Sequence, residues 1–594
     1  MDNLDPVTLA VVRDRLVSTV KQMASLVENA SPSFITAEVH DLSTALFDRQ
    51  ARPVAMYSAI SNQQIGYFQI KQAIEEIGEF CPGDIFLMND PYLGMGSHLD
   101  DWSFYRPIFY KGRLEFFTMI RGHQMDTGGS HPGGYHPDPF DVHSEGLRLR
   151  PIKICEKGVM RQDVYTLLTD NVRWSESVRM DHQAFFAAMN FCANHVVDMI
   201  EKYGLEEILA CCEAMIELTR QAIRKEIEAI PDGIYTGQAS CDDDGTAYDV
   251  PVTVRVKVTV KGATITADFS DSDRQVKGFI NSPITHTYCK ASMALLTCIA
   301  PGMADYHNQG SLEDLQVITK KGTIVDPLYP APVGCCPLIP GVLILESMWE
   351  ALSKAIPDKV PAPPTRSMHP AIVADHPQTG RAYDLRNFWA EGGGGAVYGY
   401  DGWAHSGPLG SGTLCKPSIE VMEASFPWRA LQYNIAPDHA GPGKWRGGVG
   451  NVWSLVNEGG GGLLMTGSAD GQKPYSLKPG YLGGKQGMLN EIHIVRGGQK
   501  IPVPSKRTVA LQEKDELWHL SGGGAGVGDP LYRDPELVRE DVLERVVSLP
   551  GARRDYGVVI DPESLEVDHT ETGRIRTEMR SRTLVHRVRK ASVT

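Results

Sequence analysis

The sequence predicts an α+β fold of several packed units, in which helices pack on mainly antiparallel strands and the connections are rich in Gly and Pro. Amphipathic segments with helical spacing occur, and so does a long valine alternation typical of a half-buried strand. Strands and helices do not alternate regularly, as a parallel doubly wound sheet requires. A chain of 594 residues is long enough for about three to five such units.

The N-terminal segment predicts one long helix. Asp5 followed by Pro6 is a typical start, because the carboxylate caps free N–H groups and proline suits the first turn. Ser31-Pro32 ends the helix, since the residue before a proline avoids helical backbone. The apolar stripe recurs at steps of three and four and comprises Leu9, Val12, Leu16, Val20, Met23 and Val27.

The rest of the first predicted unit, residues 1–230, combines strands with further helices. Between Asp41 and about Arg150, short apolar runs such as "TALFD", "GDIFLMND" and "LEFFTMIRG" alternate with Gly, Pro and Asp clusters. This pattern predicts strands joined by turns. From about Asp163 to Ala229 the spacing of apolar residues predicts helices.

The middle unit, residues 231–387, contains the clearest strand pattern. A turn at Lys261-Gly262 separates two alternating runs, which predicts a hairpin with one buried face. Apolar segments at about 284–300 and 341–356 predict buried helices. The alternating apolar residues are Val252, Val254, Val256, Val258 and Val260, then Ala263, Ile265, Ala267 and Phe269.

The last predicted unit, residues 388–594, is rich in Gly, Trp and short strand patterns and ends in a charged tail. Its glycine runs are interpreted as tight turns, because they do not follow the spacing of a dinucleotide-binding loop.

Composition excludes several classes of function. A net charge of −15 argues against nucleic acid or an anionic membrane as the main partner. We find no secretory signal and no apolar run long enough to span a membrane. Eleven cysteines without a CxxC pair indicate thiols rather than zinc ligands or disulfides, so we expect a cytoplasmic protein.

One stretch concentrates groups that can bind metals. "RGHQMDTGGSHPGGYHPDPFDVHSEGLRLR" holds four histidines, four acidic residues and six glycines. His123 lies in it, and His98 and Asp101 lie in "GSHLDDWSF". Two imidazoles and a carboxylate form a ligand set that suits Zn, Mn or Fe and leaves positions open for water and substrate. His143 and Glu145 are further candidates, as is Asp41; alternatively, these are polar groups that stabilise turns.

Nucleotide and nucleophile motifs are weak. "DTGGS", from Asp126 to Ser130, is similar to the phosphate turn of actin-like ATPases, but it lies well inside the chain. The GxxxxGK[ST] spacing of a P-loop and a GxSxG elbow are both absent from the sequence. ATP is therefore not expected to bind to this chain.

Several long motifs in order resemble the B-type subunits of the hydantoinase B/oxoprolinase family, which includes acetone carboxylase alpha subunits. They include "DLSTALFD", "PGDIFLMNDPYLGMGSHLDD", "RGHQMDTGGSHPGGY", "DFSDSDRQVKGFINSP" and "FPWRALQYNIAPDHAGPGKWRGGVGN". The resemblance implies that His98, Asp101 and His123 bind the metal. The family reads HLPD where this chain has "HLDD", so Asp100 adds a second candidate carboxylate.

The resemblance also implies a division of labour with a second subunit. It implies an A-type subunit of actin-like fold that binds ATP, in a hetero-oligomer such as (AB)2. It further implies that Asp41, Asp126, His143 and Glu145 line the site, with His143 as a fourth candidate ligand and the three acids as proton-transferring groups.

Three functions follow as alternatives. The first is hydrolysis of a cyclic amide such as a hydantoin, oxoproline or lactam, after the partner has phosphorylated it. The second is ATP-dependent carboxylation of a ketone such as acetone or acetophenone. The third is a non-catalytic scaffold for the ATPase partner. The first two use the same metal ligands, so those residues do not separate them.

Overall fold

The predicted α+β class is confirmed by a computed structural model, which describes residues 4–57, 64–368, 370–386, 388–404 and 414–591. The helices are α1 (Pro6–Ala30), α2 (Phe34–Ala37), α3 (Ile65–Ile77), α4 (Val142–Glu145), α5 (Gln162–Asp170), α6 (Ser175–Tyr203), α7 (Leu205–Glu228), α8 (Ile284–Ile299), α9 (Ile339–Leu352), α10 (Ile419–Ser425), α11 (Pro535–Leu543), α12 (Leu549–Tyr556) and α13 (His569–Ala591). None of these described helices combines the length and the apolar character that crossing a membrane requires.

The strands form mainly antiparallel sheets. They are β1 (Leu42–Asp48), β2 (Pro53–Tyr57), β3 (Ile85–Met88), β4 (Asp101–Tyr110), β5 (Arg113–His123), β6 (Ile152–Glu156), β7 (Val159–Met160), β8 (Gly233–Cys241), β9 (Val252–Lys261), β10 (Thr264–Asp268), β11 (Leu315–Ile318), β12 (Ala371–Asp375), β13 (Ala382–Arg386), β14 (Trp428–Ala436), β15 (Gly450–Asn457), β16 (Gly462–Met465), β17 (Glu491–Arg496), β18 (Gln499–Pro502), β19 (Thr508–Leu511) and β20 (Glu516–Leu520).

Helix α1 has the predicted start and end. The Asp5 carboxylate accepts hydrogen bonds from the backbone N–H groups of Val7 and Thr8, and Pro6 occupies the first turn. Ser31 follows the last helical residue, with extended backbone. The predicted stripe is buried from Val12 to Val27 and packs, together with α6 and α7, on one face of the first sheet.

The first sheet has the order β2-β1-β5-β4-β3-β6-β7 and is covered on both faces. The second face packs against α3, a helix that the sequence analysis did not predict within its strand region. Its buried residues Ile65, Gln69, Ile70 and Ala73 do follow helical spacing. Because both faces of the sheet are covered, the polar side chains at the ends of its inner strands are buried.

The predicted valine hairpin is confirmed as β9 and β10, with its alternating apolar residues buried. The second sheet has the order β11-β10-β9-β8, and β11 joins β10 in parallel. The predicted buried helices are also confirmed as α8 and α9, which pack in the same hydrophobic core as this sheet.

Two further sheets have the orders β13-β12-β16-β19 and β14-β15-β20-β17-β18. Strands β12 and β13 both precede residue 388, and β12 pairs with β16, which follows it, so the predicted unit boundary at 387/388 runs through a sheet. The glycine runs of this region serve close backbone packing as well as turns. A Cβ on Gly524, for example, would lie 2.0 Å from the carbonyl oxygen of Gly394.

Candidate metal centre

Three neighbouring strands of the first sheet, β1, β5 and β4, have polar residues at the same end of the sheet. Strands β4 and β5 are antiparallel neighbours, and Asp101 at the start of β4 lies opposite His123 at the end of β5. Strand β1 pairs with the other side of β5, and the His123 N–H donates to the carbonyl oxygen of Asp41 at 3.1 Å. His98 lies three residues ahead of β4. In a pair of antiparallel strands, the first residue of one strand lies beside the last residue of the other, so residues far apart in sequence meet there.

The two histidines are held with one nitrogen of each ring on a backbone carbonyl. His98 Nδ1 lies 3.0 Å from the carbonyl oxygen of Gly334, and His123 Nδ1 lies 2.9 Å from that of Gln124. Each Nδ1–H therefore donates, which makes Nε2 the ring nitrogen that a metal ion would use in place of its proton. The ring centroids are 5.2 Å apart, and both side chains are buried. This is the arrangement expected of two imidazoles that bind one metal ion.

Two adjacent carboxylates approach His98 from different sides. Asp101 Oδ2 lies 2.7 Å from His98 Nε2 and also pairs with the Arg121 guanidinium. Asp100 Oδ2 lies 3.5 Å from His98 Nδ1 and 3.8 Å from His123 Nε2.

His98, Asp100 and His123 offer ligand atoms that all lie within 4.8 Å of one another. The structure thus groups Asp100 with the histidines, whereas the family resemblance implied Asp101. Asp101 lies beside the Nε2 atom that a metal would use.

This donor set fits a divalent metal ion. Two neutral imidazoles and one or two carboxylates supply the N and O ligands that Zn, Mn and Fe accept. All of the side chains in the set are buried, and burying carboxylates is unfavourable unless positive charges lie beside them. Arg121 pairs with Asp101, and a metal cation would add positive charge next to Asp100.

The charges of the cluster are unevenly distributed. Burial lowers the pKa of His123 well below its usual value, and the neighbouring His98 lowers it further. Burial alone would raise the pKa of Asp101, but Arg121 and His98 hold it well below the usual value. Burial raises the pKa of Asp100 to about 6, against the attraction of His98 and Arg386. Asp101 is therefore the most strongly ionised carboxylate of the cluster.

Asp41 lies next to this cluster. Burial and, to a smaller extent, the negative charge of Asp101 raise the pKa of its carboxyl group to about 7. The opposing effects come from His98, Arg121 and Arg386, which shows that all of these charges act on one small volume. A carboxyl group that titrates near neutral pH can exchange a proton with a reacting molecule.

The structure gives the two other predicted acids positions away from the ligand atoms. Asp126 accepts hydrogen bonds from the N–H groups of Gly128, Gly133 and Arg173 and forms an ion pair with the Arg173 guanidinium. It therefore fixes the loop in which it lies. Glu145 accepts from the N–H groups of Val333 at 2.9 Å and Gly334 at 2.7 Å.

Glu145 thus affects the cluster indirectly, through its hydrogen bond with Gly334. The carbonyl group of Gly334 holds His98 Nδ1, so Glu145 indirectly positions a predicted metal ligand. His143, the fourth predicted ligand, is exposed, and its Nε2 lies 2.6 Å from the Tyr329 hydroxyl. The structure does not bring His143 together with His98 and His123.

A glycine-rich loop, residues 124–141, covers the cluster, and we call it the covering loop. The Tyr135 ring lies parallel to the His123 ring with centroids 5.8 Å apart. A Cβ on Gly134 would lie 2.2 Å from Asp100 Oδ1, and the backbone φ there is +78°. Glycine is needed at this position on both counts.

Arg386 reaches the same place from the third sheet. Its guanidinium lies 4.7 Å above the Tyr135 ring, pairs with Asp384 at 2.6 Å and donates to the Gly133 carbonyl oxygen. The sequence analysis missed Arg386, Tyr135 and Gly334. Tyr135 lies in the histidine-rich stretch and could have been predicted from the sequence. Arg386 and Gly334 are distant in sequence and come close to the cluster only in the folded chain.

Comparisons with known proteins agree with this architecture. A family model described as hydantoinase B/oxoprolinase matches residues 5–530. The beta subunit of caprolactamase from Pseudomonas jessenii is 31% identical over 585 residues, which cover 94% of this chain and 97% of that protein. The B-type subunit of a putative D-/L-hydantoinase from Pseudomonas sp. (strain NS671) is 30% identical over 603 residues, covering 97% and 98%.

A solved structure is similar over the same length. The crystal structure of ATP-dependent caprolactamase from Pseudomonas jessenii matches with a TM-score of 0.88 at 28% identity, covering 97% of this chain and 100% of that one.

Proposed function

Because the chain belongs to the hydantoinase B/oxoprolinase family, we propose that it is the metal-containing subunit of an ATP-dependent enzyme that hydrolyses a cyclic amide. The buried cluster of His98, Asp100, Asp101 and His123 is the observation that carries the proposal. The whole-length similarity to one subunit of a caprolactamase and to one of a putative hydantoinase favours a lactam or hydantoin as the substrate.

ATP dependence requires a second subunit in this proposal. The sequence has no P-loop, and its one phosphate-turn candidate, the "DTGGS" segment, has its Asp126 carboxylate engaged by Gly128, Gly133 and Arg173. The related proteins are named as subunits. We therefore assign ATP binding to an A-type partner, as the family resemblance implies, in a hetero-oligomer such as (AB)2.

The chemistry starts from the low reactivity of an amide. Resonance makes the carbonyl carbon a poor electrophile, and phosphorylation of the carbonyl oxygen by the partner removes that resonance. A divalent Zn, Mn or Fe ion held by His98, His123 and an aspartate would act as a Lewis acid next to the substrate. The choice between Asp100 and Asp101 as the carboxylate ligand remains part of the proposal.

The residues of this chain transfer the protons and shield the activated substrate from bulk water. Asp41 would accept the proton of the water molecule that attacks the carbonyl carbon and would pass it to the ring nitrogen as the C–N bond breaks. A second water molecule then hydrolyses the remaining acyl phosphate to the carboxylate and inorganic phosphate. Such proton transfer contributes about 10²- to 10⁴-fold. The covering loop excludes bulk water, so that the activated substrate is not hydrolysed unproductively.

The decisive experiment uses the complex with the partner, purified intact. ATP turnover would be screened with lactams, hydantoins and 5-oxoproline, and with ketones in the presence and absence of bicarbonate. We expect ring-opened product in proportion to the ATP consumed, without bicarbonate. A requirement for both a ketone and bicarbonate would instead establish the carboxylase alternative.

A variant separates catalysis from a scaffold role. His123→Ala should abolish turnover and remove the metal, which elemental analysis of the complex would measure. If the variant kept normal turnover, the chain would be a scaffold for the ATPase partner and the proposal would be wrong.

A further inference from the structure

Four large apolar side chains from three segments of the chain are exposed at one place on the surface. Phe140 is 91% exposed, and Leu93, Leu328 and Tyr329 are each 52% exposed. Exposed apolar residues are ordinary when they are scattered singly, whereas a contiguous group marks an interaction site. We call these four residues the apolar patch.

The covering loop, which carries Phe140, is joined to the segment that carries Tyr329. The N–H of Val142, two residues after Phe140, donates to the carbonyl oxygen of Pro330 at 2.9 Å. The next residue, His143, places its Nε2 atom 2.6 Å from the Tyr329 hydroxyl. Phe140 and Tyr329 therefore lie on the same part of the surface.

Leu93 is connected to Tyr329 through an ion pair. The Leu93 N–H donates to Asp90 Oδ1 at 3.1 Å, and Asp90 Oδ2 lies 3.0 Å from Arg148 Nε. The Arg148 guanidinium lies 4.7 Å from the centre of the Tyr329 ring, and the Tyr92 ring meets Tyr329 edge-on at 5.6 Å. Tyr329 is thus held in one orientation although half of it is exposed. A side chain that is ordered in advance loses little conformational entropy when a partner covers it.

Each segment of the apolar patch also reaches the candidate metal centre. Every segment pairs a patch residue with a residue at the centre that lies five positions away. The pairs are Leu93 with His98, Phe140 with Tyr135, and Tyr329 with Gly334. Gly334 holds the ring of His98, and Tyr135 lies beside the ring of His123. Five residues of extended chain span at most about 18 Å, so the patch is the outer surface of the wall around the centre.

We propose that the apolar patch is the central part of the interface with the A-type, ATP-binding subunit. The proposal rests on the proposed function for the existence of this partner and for the order of the two reactions. An activated substrate that is released into solution is lost to hydrolysis, so the partner must bind where that molecule reaches the metal centre over a short distance. The patch meets this requirement because its own segments form the wall of the centre. A second copy of this chain on the same surface would not supply an activated substrate.

The patch fits a partner surface with an apolar pocket. The Asp90 carboxylate balances the charge of Arg148, so apolar contact dominates the interaction at this place. Aromatic side chains that become fully buried near the middle of an interface contribute most of its binding energy. Phe140 is the side chain of the patch with the most surface left to bury, and the partner's pocket encloses it.

The first test identifies what lies against Phe140 in the purified complex. Phe140→benzoylphenylalanine keeps an aromatic ring at this position and forms a covalent bond with a neighbouring chain on irradiation. We expect a product that contains one copy of this chain and one of the A-type partner, identified by mass spectrometry. Tyr400, on a turn after β13, is 73% exposed, and Tyr400→benzoylphenylalanine should give no such product. A product that joins two copies of this chain, or no product from position 140, would overturn the proposal.

The second test measures the affinity between the full chain and the separately purified partner by sedimentation. Phe140→Ser and Leu93→Ser should each weaken association by about 10-fold or more, because each removes apolar surface that the partner buries. Metal content and melting temperature should stay unchanged, since both side chains are exposed, and Tyr400→Ser should bind as wild type does. The proposal is wrong if the variant with both patch substitutions associates as tightly as wild type. Failure of the amide screen with the cross-link to the partner intact would count against the proposed function alone.

Discussion

Substitution of Gly134 by alanine tests whether the covering loop lies against the metal centre. The new Cβ would lie 2.2 Å from Asp100 Oδ1 and 2.3 Å from Asp100 Oδ2, and contacts under 3.0 Å require something to move. The Asp100 carboxylate or the loop must therefore be displaced. The short carboxylate side chain moves more readily than the backbone of the loop, and its movement separates Asp100 from His98 and His123, so the metal should bind more weakly.

The magnitude follows from two separate contributions. Backbone at φ +78° disfavours any residue with a Cβ, by about 1–2 kcal/mol. Overpacking against Asp100 adds about 1–3 kcal/mol. The free energy of unfolding should thus fall by about 2–5 kcal/mol.

Gly112 offers a matched control. It lies in the turn between β4 and β5 at φ +80°, and a Cβ there meets no atom within 4 Å. Gly112→Ala should show the backbone contribution alone, with unchanged metal affinity. The assays are denaturant unfolding and metal titration against a competing chelator. Equal losses of stability and equal metal affinity in the two variants would refute the contact between the loop and Asp100.

Three further predictions address single residues. Glu145→Gln should lower metal affinity by about 10- to 100-fold in the chelator titration. The reason is that the amide oxygen can replace only one of the two carboxylate oxygens that accept from Val333 and Gly334. A fall in kcat at unchanged metal affinity would instead make Glu145 a proton carrier. Asp41→Asn should lower kcat by about 10²- to 10⁴-fold with metal content unchanged, and a variant of normal kcat would remove Asp41 from the mechanism. Burial lowers the pKa of His519 to about 3, so between about pH 6.5 and pH 3 only the unfolded chain binds this proton. On its account, the free energy of unfolding should fall by about 1.4 kcal/mol for each unit by which the pH is lowered in this window. His519→Leu should reduce this acid sensitivity in calorimetric melting scans, and identical pH profiles would contradict the assignment.

The elements that the sequence predicted well are those specified by neighbouring residues. Helix α1 begins after Asp5 and ends before Ser31 because the capping carboxylate and the proline act within one turn. The β9–β10 hairpin follows from valine alternation and a glycine turn. Helix α3 was missed because its polar residues interrupt the stripe and the surrounding segment has the composition of strands and turns.

The candidate site was predictable only in part. His98 and His123 could be named from motifs, and the pairing of β4 with β5 explains how they meet. The place of Asp100 beside His123, and of Arg386 beside Tyr135, depends on contacts between residues distant in sequence. Local patterns carry no information about such contacts.

The central claim is that two histidines and an aspartate hold one metal ion, although His98 and His123 lie 25 positions apart in the sequence. Anomalous diffraction from crystals of the purified complex, recorded on both sides of the absorption edges of Zn, Mn and Fe, tests it most directly. The account predicts one anomalous peak per chain within bonding distance of Nε2 of both His98 and His123 and of an oxygen of Asp100 or Asp101. A map with no peak there, or with the only metal bound elsewhere on the chain, would contradict it.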